Sequence, residues 1–253
     1  MIGFGLLLRK EIREQVRTMR LPVVVAVFAM LGLISPVFAR YIREIVEAVG
    51  GGQFQGMIPA PVVGDALAQF TKNIGQFGVL IAILVTMGSV AAEKERGTAA
   101  FLLTKPITRG AFVGAKALAI GALLAIATAV AGALCWVYTA LLFEPLPLAG
   151  FSAAVALIWL SLAVVAALTF LASVASRSPL VAGGVAFGAF VAAGILSALP
   201  GVGAYMPTSL WGAAGLLAQG TLPDLLVGPI VANMAFVIAA IGLAWWTFRG
   251  QEI

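Results

Sequence analysis

Few residues in this chain can do chemistry, and nearly all of them are charged. Its 253 residues contain no histidine, one cysteine, fifteen Lys or Arg and ten Asp or Glu. Without histidine there is no His-assisted nucleophile, no His-ligated metal and no His-based pH switch. Cys135 sits inside an apolar stretch and reads as a small core hydrophobe; a lone cysteine forms no intrachain disulfide. A phosphate-cradling loop reads G-x-x-x-x-G-K-[ST], and no Gly-Lys pair occurs in the chain. The chain is therefore expected to be no enzyme on its own, with no catalytic residue, cofactor or metal. If ATP drives it, the ATPase is another chain.

The chemistry that remains is electrostatic docking, and it is concentrated in two stretches. Residues 93–110 read EKERGTAAFLLTKPITRG. Glu93, Lys94, Glu95 and Arg96 cross into water, and Gly97 lets the chain change direction. Thr98 can cap a short helix over Ala99 to Thr104, and Pro106 enforces its end. Thr108 can cap the next helix, which carries Lys116. Phe101, Leu102 and Leu103 then lie between charged flanks, the description of a docking element. Residues 4–20 read FGLLLRKEIREQVRTMR. Phe4, Leu8, Ile12, Val16 and Met19 recur at helical spacing as an apolar face, and Arg9, Arg13 and Arg17 fall four apart on another. Like charges at that spacing cost a helix roughly a few tenths of a kcal/mol per pair. That is tolerated when something anionic faces them: lipid headgroups or an acidic cytoplasmic protein.

The elements that position these stretches follow from composition. The chain is 62% hydrophobic and 10% charged, against roughly half and a quarter in soluble domains. Residues 117–143, 145–176, 178–223 and 225–248 carry no charge at all. About 20 apolar residues cross a bilayer, so this is an integral membrane protein. Six spans are expected, at roughly 21–39, 73–92, 112–142, 151–175, 180–199 and 224–248. An even number puts both termini on one side. Arg9, Lys10, Arg13, Arg17, Arg20, Lys94, Arg96, Lys105, Arg109, Lys116, Arg177 and Arg249 lie on that side; Arg40, Arg43 and Lys72 lie on the other. The positive-inside rule then places both termini in the cytoplasm. The N-terminal region is not expected to be a cleaved signal: its apolar run is too long and Glu11 and Glu14 interrupt the basic part.

Several smaller expectations complete the picture. Arg40–Glu44 and Arg43–Glu47 support a first helix continuing through residue 49. Residues 200–223 are as apolar as a span but cut by glycine and proline, and read as a re-entrant or interfacial hairpin. Thr208 or Ser209 can cap a short helix there, through Ala218. Ala117, Gly121, Ala125, Ala129 and Ala133, and likewise Gly184, Gly188 and Ala192, recur every four residues as close-packing stripes. No Asp, Glu, Lys or Arg is expected deep in a span, which argues against a secondary transporter and an intramembrane hydrolase. Asn233 is the polar side chain within a span that either lines a path or bonds to backbone.

The run E-x-E-x-G-T, leucines, T-K-P-I-T-R-G and G-x-K resembles the type-2 ABC transporter permeases. It is carried by Glu93, Glu95, Gly97, Thr98, Leu102, Leu103, Thr104, Lys105, Pro106, Ile107, Thr108, Arg109, Gly110, Gly114 and Lys116. The branch most similar is that of multicopper-enzyme and nitrous oxide reductase maturation. The resemblance implies an all-α, six-span, type V exporter-like fold: an N-terminal amphipathic interfacial helix at 1–20 and a transmembrane domain at 21–253. Within that domain it implies a coupling helix near 93–110 and a re-entrant segment near 200–223. It further implies an exporter permease in the cell inner (plasma) membrane, paired with a second copy and with a cytoplasmic ABC ATPase that holds ATP and Mg. Nucleic acid is not an expected partner; the lipid bilayer is. Carried over, the ATPase-coupling residues are Glu93, Glu95, Gly97, Thr98, Phe101, Leu102, Lys105, Pro106, Arg109, Arg9, Arg13 and Arg17. The substrate does not carry over: with no histidine, one cysteine and dispersed methionines, direct copper handling is not expected. The other reading is a non-transporting scaffold that uses the same docking helix.

Overall fold

The structure, a computed structural model, describes residues 3–49, 59–97 and 108–251. They form helices joined by short connections, with no strand among the described residues. A first helix, α1 (Phe4–Arg17), meets α2 (Arg20–Val49) at a tight corner where Met19 takes a left-handed φ of 60°. The second span runs through α3 (Val63–Asn73), a π turn at Ile74–Gly78, α4 (Val79–Met87) and α5 (Ala91–Glu95). Then follow α6 (Arg109–Leu142), α7 (Leu148–Ala175), α8 (Pro179–Leu196), a short α9 (Ser209–Ala218) and α10 (Val227–Arg249). Among the described residues, six helices are long and apolar enough to cross a membrane.

Backbone self-sufficiency explains this architecture. In hydrocarbon every N–H and C=O must find a partner inside the segment, which a helix alone provides. The helices then associate by close packing rather than by excluding water. The most extensive contact is α2 with α6, and Gly32 makes it possible. A Cβ at Gly32 would stand 2.2 Å from the carbonyl oxygen of Ala131. The buried row of α6 is Ala115, Ala119, Leu123, Ala127 and Ala131. That row lies two residues away from the expected stripe, of which Ala129 and Ala133 are exposed. In α8 the buried residues are Ala182, Gly183 and Ala186, while Gly184, Gly188 and Ala192 face outward. Both helices choose the face that meets a large neighbour: a Cβ at Gly183 would lie 2.8 Å from Met87 Sδ.

Other expectations are met or corrected locally. The first span does extend to Val49, with Arg43 Nε 3.0 Å from Glu47. The second begins ten residues before the expected 73. Its polar residues there are used: Asn73 donates to Ser35 at 2.9 Å and accepts from Gln69 at 3.1 Å. The short helix at Ser209 forms, but neither hydroxyl caps it. Thr208 has helical backbone angles and no cap bond, and Ser209 donates backward to the carbonyls of Ala204 and Met206. Asn233 donates to its own helix at Pro229 (2.8 Å) and to Tyr205 (3.2 Å), so it ties α10 to the single 3-10 turn at Gly203–Tyr205.

Candidate functional site

α1, α5, the start of α6 and the end of α10 meet at one end of the bundle, the terminal side. Its centre is Lys116, on the second turn of α6 and 4% exposed. Thr108 starts that helix as expected, its hydroxyl accepting from Ala111 N at 3.2 Å. The Lys116 ammonium donates to Glu93 on α5 at 2.8 Å and to Glu11 on α1 at 3.1 Å. Their side chains are 17% and 12% exposed. A buried ammonium is tolerable only when paired and hydrogen-bonded, and here two carboxylates from two other elements do this. Lys10 extends the network to Glu11 (3.1 Å) and Glu14 (3.2 Å). A cavity of about 370 Å³ lies beside it, lined also by Gln15, Arg20, Ser89 and Arg96. Burial opposes charge on Lys10 and Glu14, but the opposite charges prevail. Glu11 and Glu14 raise the Lys10 pKa, and Lys10, Lys116 and Arg20 lower that of Glu14.

This network decides which face of α1 turns inward. Phe4 packs on Gly114, Leu7 and Gln15 are buried, and Glu11 reaches Lys116. The inward face is thus mixed, and the expected apolar face is rotated from it: Ile12, Val16 and Met19 are exposed. Arg9, Arg13 and Arg17 project outward and make no ion pair among the described residues.

A second fastening holds the C-terminal end. The last carbonyls of a helix lack intrahelical partners, and the Arg109 guanidinium takes those of Phe248 (3.0 Å), Arg249 (2.7 Å) and Gln251 (3.0 Å). Lys94 donates to the Val174 carbonyl and to the Gln251 side chain. Ser173 accepts from the backbone N–H of Val90 and Ala91 at 3.1 and 3.0 Å. Phe112 stacks on Phe248 with centroids 5.2 Å apart, and Lys116 lies 5.2 Å from the Phe112 centroid. The two fastenings therefore form one connected block.

The residues expected to couple to an ATPase fall into three groups. Arg9, Arg13, Arg17, Glu95 and Gly97 are exposed, and Gly97 has the left-handed φ of 69° that turns the chain. Glu93 and Arg109 point into the block and fasten elements together. Thr98, Phe101, Leu102, Lys105 and Pro106 lie outside the described residues. Sequence reasoning missed Glu11 and Lys116 as partners. The available signal was that Lys116 is the last charge before the uncharged run 117–143. At such a position it has either water or a buried partner.

A family model described as ABC-2 family transporter protein matches residues 6–244. The chain is also similar to the uncharacterized transmembrane protein YxlG of Bacillus subtilis (strain 168). The two are 26% identical over 253 residues, covering 97% of each chain.

Proposed function

We propose, because the chain belongs to the ABC-2 transporter family, that this multi-pass membrane permease is driven by a separate cytoplasmic ATPase and works as an exporter. The observation that carries the reading is the Lys116 triad. It fastens α1 to the end of the second span, the two elements with charges best placed to meet a partner. A push on either is then transmitted to α6, and through Phe112 and Phe248 to α10. The arginine stripe of α1 and Glu95 stay outward and free to dock. The chain's own composition supports an external motor, since it has no phosphate-binding loop.

In this reading both termini are cytoplasmic and the membrane is the plasma membrane, as the excess of Lys and Arg on the terminal side supports. α1 lies in the interface, with Ile12, Val16 and Met19 toward lipid. α9 belongs to a re-entrant hairpin. The outward stripe of Gly184, Gly188 and Ala192 on α8 supports a second copy, since small residues let helices approach.

The test uses ATP hydrolysis by the reconstituted permease and ATPase. Glu95→Arg and the triple reversal Arg9→Glu/Arg13→Glu/Arg17→Glu should abolish stimulation of the ATPase by the permease while leaving the permease folded. Stimulation that survives both would remove the docking role. A scaffold, the other reading, would retain the partner but show no ATP-dependent movement of any solute.

A further inference from the structure

On the side of the bundle away from the termini, α3, the π turn and α4 open onto a groove of about 640 Å³. Its walls are apolar and aromatic: Leu80 from α4, Phe187 and Phe190 from α8, and Trp211 from α9. Phe190 and Trp211 rings lie 6.3 Å apart. The groove depends on Gly75 in the π turn, where a Cβ would stand 3.0 Å from the Trp211 ring. π turns within α-helices are rare and gather at functional sites.

Besides the Trp211 indole, three polar side chains line this groove: Thr71, whose hydroxyl donates to the Leu67 and Ala68 carbonyls of its own helix, and Lys72 and Gln76, both exposed. Neither Lys72 nor Gln76 makes a hydrogen bond or ion pair among the described residues. Their depth makes that significant. The terminal-side limit of this span lies at Glu93 and Glu95, and about 20 residues complete a crossing. Lys72 then sits at the far boundary, with Gln76 one turn inside it. An amide facing hydrocarbon without a partner is costly, and a lysine at the boundary extends its ammonium to the headgroup level. No acidic residue lines the groove. The missing partner is therefore anionic at Lys72, hydrogen-bonding at Gln76, and apolar beyond.

We propose that this groove seats one anionic phospholipid of the surrounding bilayer, its phosphate on Lys72, its ester region at Gln76 and an acyl chain along Leu80, Phe187, Phe190 and Trp211. A free anion would leave the aromatic walls uncovered. A helix from a second copy would bring nothing polar to Gln76 unless it carried a side chain placed for it. The assignment rests on the membrane-spanning reading and not on ATP coupling, so its failure would leave the proposed motor untouched.

The experiment is native mass spectrometry of the full-length chain in neutral detergent, titrated with dioleoyl phosphatidylglycerol, with phosphatidylcholine of the same chains, or with glycerol phosphate. One phosphatidylglycerol per chain should be retained, with affinity lowered about fivefold by Lys72→Gln, the worth of one cation beside an anionic lipid. Gly212→Phe should block the same site, because Gly212 lines the groove and a Cβ there meets nothing within 4 Å. Arg43→Gln, which removes a charge elsewhere, should leave binding unchanged. Equal retention of phosphatidylcholine, equal binding of glycerol phosphate, or indifference to both groove substitutions would overturn the proposal. So would disulfide cross-linking of Leu80→Cys, on the α4 wall and away from the outward stripe of α8, between two copies in the membrane, which would show that protein covers the groove.

Discussion

Replacing Lys116 with methionine would show whether charge holds the terminal side together. Methionine keeps the length and apolar stem of lysine, so the substitution removes the ammonium and little packing. Glu93 and Glu11 would then lose bonds of 2.8 and 3.1 Å and remain as carboxylates with 17% and 12% exposure. Removing one member of a buried pair costs about 3–5 kcal/mol. Glu11 keeps Lys10 at 3.1 Å, and both carboxylates border a polar cavity, so the lower end applies, about 3 kcal/mol. At about 2–4 °C per kcal/mol for a chain this long, the thermal midpoint in detergent should fall on the order of 10 °C. Hydrogen exchange should show the loss first in residues 4–17, because Glu11 is the α1 side chain that bonds directly to Lys116. The triple variant Lys116→Met/Glu11→Gln/Glu93→Gln should recover to within about 1 kcal/mol of the parent, since an apolar or neutral replacement of a whole buried triad is often harmless. An unchanged midpoint in Lys116→Met, or a triple variant as unstable as the single, would refute the reasoning.

The remaining expectations concern the other fastenings. Arg109→Ala strips three carbonyls at the end of α10 and should cost about 2 kcal/mol, the scale of hydrogen bonds to a charged group, with faster exchange confined to residues near 245–251. Gly32→Val places a side chain where a Cβ already lies 2.2 Å from the Ala131 oxygen. It should cost about 3 kcal/mol by overpacking, whereas Gly184→Ala, which faces open space, should leave the monomer's midpoint unchanged. For pH, the Glu14 pKa is lowered from 4.5, so its contribution is present above that value and is lost as pH falls through the folded pKa. Exchange in α1 should therefore rise below about pH 4.5, and Glu14→Gln should flatten that acid limb.

Long-range composition made the membrane architecture legible, because an uncharged run of twenty-odd residues has almost no other physical solution. Local capping was legible where it depends on neighbours in sequence: Thr108 caps α6 and Gly97 turns the chain, both as expected. What escaped was set by partners distant in sequence. The orientation of α1 follows from Lys116, 105 residues from Glu11, so the periodicity of α1 alone marked an apolar face but not the mixed face that turns inward. Which small-residue row packs within one copy was hidden for the same reason. A chain rich in alanine and glycine presents several such rows, and only Gly32 and Met87 on neighbouring helices decide which is buried. Charge in 93–110 was read as a docking element. That role divides: Glu93 and Arg109 fasten the permease to itself, and Glu95 and Gly97 remain outward.

The central claim is that this permease works with a separate ATPase docked on its terminal side. Gentle extraction from native membranes, followed by affinity purification of the tagged full-length chain, tests it most directly. The expected result is a soluble ATPase with a phosphate-binding loop, present at one copy per permease and lost when Arg9, Arg13 and Arg17 are reversed to glutamate. Recovery of the intact permease with no ATPase, together with solute movement that follows the proton gradient and ignores ATP depletion, would contradict it.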